Sequence, residues 1–588
     1  MLKAPSQQQL IASLPKHLQP FVAVQDYSSY TPRDHAVWRF LLTQLSLDLA
    51  PNAHSTYLQG LQQTGISLDR IPKIEEINYA LEQFGWRAVV VNGFLPPAIF
   101  MEFQAHKILV IAVDMRTIEH MLYTPAPDIV HESAGHAPFI IDTDYSEYLQ
   151  RFGELGMKAI ANKDDFAVYE AIRQLSIIKE DPNATAAAVQ QAQAHLEQVL
   201  ANNTEVSEAA LLSRLHWWTV EYGLVGEVGN YKIFGAGLLS SLGESKSCLD
   251  DTKVKKYPLN LDAINFSYDI TNTQPQLFVA KNCRHLTQVL EEFAKQMAVS
   301  VGGKSGLDKA VLAQTVNTAQ LSSGIQISGQ FVENMTDPMG NVIYIKTQGP
   351  TQLSYQHKQL LGHGTDFHAS GFGTPVGKLQ GFHRCLSDYT IDELAEKGIC
   401  LDKRVTLAFV SGIKVSGMLK RIWREQHKNI VFTFSDCVVT HQSGRVLFDP
   451  SWGIFDMAVG EVVESVFGGS ADVNTYPLYE ASPINANLID YPQTTIAQFV
   501  SYQQCKELRE HLQNRSPQQL TQWINQVKQL TEIDWLLCYE VIELALTAGL
   551  KDFDREYWLQ LMTTQAQTQQ ATQLCQYGLQ RLAKMESQ

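Results

Sequence analysis

The spacing of apolar residues in the first half of the chain predicts helices that alternate with short strands. From Asp34 to Leu47 the apolar side chains recur at nearly helical intervals, and Asp34 is expected to cap that helix. β-Branched runs bounded by polar or turn residues predict strands. The other predicted elements are strands at Ala88–Val91 and Ile108–Val113, a helical stretch from Tyr145 to Leu200 with a break at Asp181–Asn183, and a helix from Ser207 to Gly223.

The pattern changes twice in the second half of the chain. Ser300–Gly306 is rich in glycine and serine and predicts a linker. From Gln326 to Pro483 glycine, threonine and valine are frequent, which predicts mostly strands, for example Arg404–Val410 and Asn429–Phe434. Amphipathic helices are predicted at Thr495–Leu512, Pro517–Leu530 and Asp534–Leu550, followed by a Gln-rich helical tail. We therefore expect a multidomain protein, with one domain over residues 1–300, a β-rich accessory domain over 301–485 and a helical region over 486–588.

Composition narrows the class of protein. The 588 residues are 45% hydrophobic and 18% charged, which is typical of globular domains. A formal net charge of −15 argues against nucleic acid or an anionic membrane as the main partner. The apolar run Ile108–Val113 is far too short to cross a bilayer, and no secretory signal precedes it. Eight cysteines, all between Cys248 and Cys575, form no C-x-x-C pair, so a reduced, cytoplasmic protein is expected.

One short segment carries the clearest candidate chemistry. It contains His131, Glu132 and His136, and imidazole and carboxylate groups are common metal ligands. The two histidines are five residues apart, so a regular α-helix would separate them by about 140°. The four-residue spacing of zinc proteases, by contrast, places both histidines on one face. His131 and His136 can therefore share a metal only if His131 lies at or before a helix start; otherwise they are ordinary helix histidines.

A third ligand is expected farther along the chain. Glu221 lies in an aromatic, apolar segment, where an unpaired carboxylate is costly to bury. Glu227, six residues on, is an equally acceptable ligand, and spacing does not choose between them. Two imidazoles and one carboxylate are typical of non-haem Fe(II) oxygenases, but they also bind catalytic zinc.

Several motifs, in the same order and separation, resemble the catalytic domain of the pterin-dependent aromatic amino acid hydroxylases. They are YTPRDHAVWR from Tyr30, GFLPPAIF from Gly93, YTPAPDIVHESAGHAP from Tyr123, WWTVEYGL from Trp217 and GAGLLSSLGE from Gly235. The likeness extends to about Ala298 and is greatest to bacterial members, which share the Ser133–Ala134 pair. It implies the mainly α-helical catalytic fold of that family for residues 1–300, and the family also uses histidines five residues apart.

The resemblance implies a role for each matching residue. The iron ligands would be His131, His136 and Glu221, which favours Glu221 over Glu227, and Glu132 would lie beside iron and pterin in the catalytic centre. Asp128 and Ser240 would hold the first histidine ring, although Asp128 also suits a helix cap. The residues expected around the organic ligands are Arg116, Thr124, Pro127 and Trp217 for the amino acid, and Gly93, Phe94, Leu95 and Phe100 for the pterin.

The implied activity is hydroxylation of an aromatic amino acid, by default L-phenylalanine to L-tyrosine. It would use dioxygen, Fe(II) and tetrahydrobiopterin or a related reduced pterin. His216 stands where many relatives have tyrosine, so tyrosine and tryptophan stay alternative substrates. A zinc hydrolase with Glu132 as general base would explain the histidines but not their spacing. A scaffold with a decayed site ranks last, because no ligand position is lost.

The second half of the chain matches no motif in this comparison. His363, His368 and His383 are interpreted as solvated turn histidines, since no cysteine or carboxylate spacing supports a metal site there. We interpret the β-rich and helical regions as parts that serve assembly or regulation, and the C-terminal region is a candidate for forming a homo-oligomer.

Overall fold

A computed structural model describes residues 6–122, 126–181, 183–268, 273–480, 495–510, 517–550 and 552–586. Within the first 314 residues, helices form most of the fold. They are α1 Gln7–Ala12, α2 Pro32–Leu49, α3 Thr56–Gln63, α4 Ile74–Leu81, α5 Pro97–Ala105, α6 Thr143–Gly156, α7 Lys163–Glu180, α8 Ala186–Asn202, α9 Glu208–His216, α10 Ala236–Leu239, α11 Glu244–Ser247, α12 Cys283–Ala294, α13 Ala298–Val301 and α14 Gly303–Ala313.

Two small sheets lie among these helices. Their strands are β1 Arg87–Val91, β2 Ile108–Ala112, β3 Leu224–Glu227, β4 Asn230–Ile233, β5 Lys255–Pro258 and β6 Gln276–Ala280. β1 and β2, both predicted as strands, pair in parallel, and the other four are ordered β4-β3-β6-β5. The resemblance implied a mainly helical fold, and the N-terminal region contains two small sheets besides its many helices.

The helix α2 begins earlier than its apolar pattern indicated. Thr31 is the cap: its hydroxyl accepts from the backbone N–H of Asp34, whose carboxylate accepts from the backbone N–H of Thr31. Asp34 is therefore the third residue of a capping box and not the cap itself, so that prediction is wrong by one helical turn.

Strands dominate residues 316–468 and form two sheets. The first sheet is ordered β10-β9-β8-β7-β17 with β11 on β9, and the second is β12-β13-β14-β15 with β16 on β14. The elements are β7 Val316–Leu321, β8 Ile325–Thr336, β9 Val342–Tyr355, β10 Lys358–Gln359, β11 Gly373–Pro375, α15 Ile391–Glu396, β12 Arg404–Ala408, β13 Ile413–Glu425, β14 Lys428–His441, β15 Val446–Phe448, β16 Phe455–Ala458 and β17 Val463–Gly468.

The predicted linker at Ser300–Gly306 is wrong, because this segment is helical. It contains the end of α13 and the start of α14, which pack against β17. A Cβ on Gly302 would lie 2.4 Å from the carbonyl oxygen of Glu464, so this glycine allows a close approach between helix and strand. Glycine here marks close packing of a helix on a strand and not an irregular linker.

Two of the three histidines predicted to be solvated are buried. His363 and His368 are 4% and 8% exposed, whereas His383 is exposed as predicted. No periodic pattern indicated this burial, because both histidines lie in an irregular segment between β10 and β11.

Helices return at the C-terminus: α16 Ile496–Glu510, α17 Pro517–Val527, α18 Trp535–Thr547, α19 Arg555–Gln565 and α20 Gln569–Glu586. They share one hydrophobic core with the N-terminal region. Phe40 of α2 meets Trp535 and Tyr539 of α18 edge-on, with ring centroids 5.3 and 4.9 Å apart. The described cysteines are unpaired thiols. None of the described helices has the length and apolar character needed to cross a bilayer.

Candidate metal centre

The two histidines of the sequence motif lie at the ends of a π-helical segment, His131–His136. Because a π-helix hydrogen-bonds residues five apart, it brings positions i and i+5 onto nearly the same side. The histidines therefore meet within one π-helical segment, of which His131 is the first residue, and the regular α-helical spacing that would separate them does not apply here. A second π-helical segment, Trp217–Glu221, ends on the predicted third ligand.

His131, His136 and Glu221 converge on one point. The Nε2 atoms of the histidines are 3.2 Å apart, and the Glu221 carboxylate oxygens lie 3.2 Å from His131 Nε2 and 3.4 Å from His136 Nε2. One ligand atom from each residue lies within 4.8 Å of the other two. Glu227, by contrast, is exposed at the end of β3. The geometry therefore separates the two carboxylates that spacing left equivalent.

Ser240 fixes the tautomer of His131. Its hydroxyl donates to the carbonyl oxygen of Ala236 at 2.8 Å, so its single proton is already used. The contact of 3.0 Å between Ser240 Oγ and His131 Nδ1 must then be a bond donated by the imidazole. With Nδ1 protonated, Nε2 presents its lone pair to the point where the three ligands meet.

Replacement of Ser240 by alanine is expected to weaken metal binding by about 10- to 100-fold, because the orientation and tautomer of His131 are no longer fixed. Metal affinity measured by chelator competition tests this, with Ser240→Thr as the variant that keeps the hydroxyl. Ser245→Ala is a matched control, since that buried hydroxyl donates to the carbonyl oxygen of Leu242 and, among the described residues, contacts none of the three ligands. Equal affinity in Ser240→Ala and the wild type would contradict the assignment.

Glycines bring the ligand-bearing segments together. A Cβ on Gly135 would lie 2.7 Å from the carbonyl oxygen of Ala236, so the histidine segment and α10 can touch only with glycine there. A Cβ on Gly235 would lie 2.6 Å from the carbonyl oxygen of Glu221. These two contacts hold Ser240 and Glu221 beside the histidines.

The pKa values of the two carboxyl groups beside the histidines are shifted in opposite directions. Burial would raise the pKa of Glu221, but the two facing imidazoles, His136 foremost, outweigh it and hold that pKa well below its ordinary value. Burial raises the pKa of Glu132 to about 8, although His136, whose Nε2 is 3.9 Å from the Glu132 carboxylate, opposes the rise. Glu221 is thus the anionic member of the pair.

Arg116 and Asp128 form a buried ion pair beside the metal centre. Arg116 donates from Nε at 2.6 Å and from Nη2 at 2.7 Å to the two carboxylate oxygens, and from Nη1 to the carbonyl of Ser240 at 3.1 Å. Asp128 also accepts from the backbone N–H of His131 at 2.9 Å. Asp128 therefore caps the segment and orients Arg116. The expectation that it contacts the His131 ring is wrong, because both its oxygens are used elsewhere. Thr124, expected near the same arginine, lies outside the described residues.

Trp217 lies in a stack of aromatic rings. Its centroid is 4.3 Å from that of Tyr268 and 4.7 Å from that of Tyr222, and its Nε1 donates to Gln274 at 3.2 Å. Tyr268 and Gln274 were not predicted from sequence; the only signal was their place at the end of the matching region. Pro127, the other expected wall of the amino acid pocket, is half-buried one residue before Asp128.

The predicted pterin residues lie around the loop that leaves β1. Gly93 has a φ of +66°, which glycine adopts easily, and it begins the loop Gly93–Leu95 before α5. Phe100 on α5 meets His216 edge-on, with centroids 6.0 Å apart. His216 Nδ1 is in turn 3.7 Å from the Glu221 carboxylate, which links Phe100 to the metal centre.

His216 is a buried, neutral imidazole. Burial lowers its pKa to about 4, and its Nε2 has no hydrogen-bond partner among the described residues. Phe152, which the sequence analysis did not single out, also meets the His216 ring edge-on, with ring centroids 5.1 Å apart. The site therefore has an apolar, aromatic wall next to its three ligands.

Comparison with known proteins gives a consistent result. The family model for biopterin-dependent aromatic amino acid hydroxylases matches residues 7–181 and 182–314, more than half of the chain. A phenylalanine-4-hydroxylase of Pseudomonas aeruginosa is 29% identical over 264 residues, 45% of this chain and 84% of that relative. A tyrosine 3-monooxygenase of Schistosoma mansoni is 23% identical over 319 residues, 53% of this chain and 57% of that relative. The crystal structure of Chromobacterium violaceum phenylalanine hydroxylase with bound Fe(III) has 26% identity, covers 49% of this chain and 88% of its own, and gives a TM-score of 0.37.

Proposed function

Since this chain belongs to the biopterin-dependent aromatic amino acid hydroxylases, we propose that it converts L-phenylalanine to L-tyrosine with dioxygen and a reduced pterin at a ferrous ion. The observation that carries the proposal is the convergence of His131, His136 and Glu221 on one point. Relatives named for phenylalanine and for tyrosine both match, and those named for phenylalanine match at higher identity.

The residues present fit a ferrous ion. Two imidazole nitrogens and one carboxylate on a single side leave coordination positions open, which is the arrangement of non-haem Fe(II) oxygenases. His131, His136 and Glu221 would hold the ion. Bound iron and pterin would together supply the activation of dioxygen.

The chain's own residues position the reactants. Of the five N–H donors of Arg116, three are used in its contacts with Asp128 and Ser240, and we assign the others to the substrate carboxylate. Because Asp128 fixes the guanidinium in a buried place, that carboxylate would be held at a defined distance from the metal ligands. Trp217 and Pro127 would border the aromatic ring.

The pterin would stack on Phe100 beside the Gly93–Leu95 backbone. His216 lies between Phe100 and Glu221 and is neutral near pH 7, so it adds no charge to the wall that the pterin and ring share. An uncharged, water-poor wall favours reaction of the bound partners over side reactions with water.

The test is product analysis with each aromatic amino acid. We expect the purified full chain, loaded anaerobically with Fe(II) and supplied with tetrahydrobiopterin, to turn over phenylalanine with a kcat/KM at least about tenfold above that for tyrosine or tryptophan. An apolar pocket discriminates by about 10- to 200-fold against a side chain that differs by one small group. A clear preference for tryptophan would contradict the phenylalanine assignment alone. Zinc at full occupancy, without pterin-dependent oxygen uptake, would support the zinc hydrolase.

A further inference from the structure

Three metal-binding side chains lie together in the β-rich region, far along the chain from the first centre. His363 and His368 come from the segment between β10 and β11, and Asp456 comes from β16. They are 4%, 8% and 5% exposed. Buried polar side chains need partners, so each of the three must be satisfied within the protein.

Their ligand atoms face one another. His363 Nδ1 lies 3.2 Å from His368 Nε2 and 3.9 Å from Asp456 Oδ2, and the three atoms lie within 4.8 Å of one another. Two ligands about 2.0–2.1 Å from a tetrahedral metal are about 3.3 Å apart, which matches the separation of the imidazoles. The same 3.2 Å separates the imidazoles of His131 and His136.

The surroundings orient the ligands. The carbonyl oxygens of His363 and His368 accept bonds from the backbone of β9, at 2.9 and 3.1 Å. Thr433 Oγ1 donates to Asp456 Oδ1 at 2.6 Å, which leaves Oδ2 for the cluster. Carboxylates that ligate a metal through one oxygen are commonly held in place by a hydrogen bond to the other.

The charge of Asp456 also lacks a permanent partner. Within the described ranges, no lysine or arginine lies at ion-pair distance from this carboxylate; His363 is the basic group nearest to it, and Arg421 acts on it only from farther away. Aromatic rings enclose the histidines: Trp423 meets His363 edge-on, and Phe367 and Phe372 meet His368 edge-on. A buried carboxylate with no lysine or arginine at ion-pair distance is stabilised by a bound cation.

We propose that His363, His368 and Asp456 form a second metal site, which binds a divalent transition metal through two imidazole nitrogens and one carboxylate oxygen. Imidazole donors suit zinc, iron, nickel and copper, whereas magnesium and calcium prefer all-oxygen sites. The metal would tie the irregular segment between β10 and β11 to β16. The site stands on its own residues and does not depend on the proposed hydroxylation.

Metal stoichiometry tests the proposal. The full chain, stripped with a chelator and reloaded with excess Zn²⁺, is desalted and analysed by elemental mass spectrometry. We expect about two zinc ions per chain in the wild type and about one in Asp456→Asn or His368→Gln. The double variant His131→Gln with His136→Gln should also retain about one, and adding Asp456→Asn to it should leave none. The exposed His383→Gln is the matched control and should retain both ions.

A second measurement distinguishes loss of the site from misfolding of the variant. In the His131→Gln, His136→Gln background, added Co²⁺ should give visible ligand-field absorption that disappears with Asp456→Asn, while the far-UV circular dichroism is unchanged. If the wild type holds one zinc ion and the double variant holds none, the three side chains are only a hydrogen-bonded cluster and the proposal is wrong. Loss of one ion in His383→Gln would show that the second ion binds at the surface, which also overturns it. Failure of the Fe(II)-loaded wild type to hydroxylate, when the zinc-loaded wild type holds two ions, would count against the proposed function alone.

Discussion

Replacement of Glu221 by glutamine is expected to lower kcat/KM for ring hydroxylation by about a thousandfold or more. The carboxylate is the only anionic ligand of the proposed ferrous site, with oxygens 3.2 and 3.4 Å from the two imidazoles. The amide of glutamine keeps the volume of the side chain but removes its charge. A loss of about 4 kcal/mol of stabilisation by the metal corresponds to about a thousandfold in rate. Steady-state assays with phenylalanine and tetrahydrobiopterin, alongside iron analysis, measure both losses.

Glu227→Gln is the matched control for this prediction. It makes the same chemical change six residues away, on an exposed side chain outside the cluster. We expect its iron content and activity to stay within about twofold of the wild type, as for most surface substitutions. Equal activity of Glu221→Gln and the wild type would exclude Glu221 as a ligand, and loss of activity only in Glu227→Gln would reverse the assignment.

The ligand types could be predicted from sequence, but their geometry could not. Two histidines and a glutamate near apolar segments indicate a metal. Helical periodicity, however, places His131 and His136 on different faces, because it assumes hydrogen bonds four residues apart. The π-helical register is a local departure that no spacing of apolar residues reveals. The choice of Glu221 over Glu227 needed either the family resemblance or the structure.

Which elements pack against each buried face could not be predicted from the sequence either. The pattern of α2 shows an apolar face but not what covers it, and the covering helix α18 begins almost five hundred residues later. In the same way, Asp456 could not be connected with His363 and His368, because a strand and a distant loop meet only in the fold. Individual strands and helices were predicted better, since β1, β2 and the C-terminal helices each depend on local periodicity.

Replacement of Glu540 by glutamine is expected to lower the free energy of unfolding by about 3–5 kcal/mol, the usual result of removing one member of a buried ion pair. Glu540 on α18 is completely buried. It accepts from Arg39 of α2 at 2.8 Å and from Arg509 of α16 at 2.9 Å. Glutamine would leave both guanidinium groups in the interface without their common anion. Urea denaturation followed by tryptophan fluorescence measures the change, because Trp535 lies in the same interface.

Acid should remove the difference between this variant and the wild type. Burial would raise the pKa of Glu540, but Arg39 and Arg509 outweigh it and lower that pKa from 4.5 to about 2. A carboxyl whose pKa is depressed in the folded state contributes stability above its unfolded pKa, and this contribution is lost as the pH falls from about 4.5 to about 2. The wild type should therefore lose its advantage across that window, whereas Glu540→Gln has no such carboxyl to protonate. Lys420→Gln, which breaks the exposed pair with Asp402, is the control and should cost less than about 1 kcal/mol. If Glu540→Gln costs no more than Lys420→Gln at neutral pH, the C-terminal helices do not depend on this charge cluster for docking on α2.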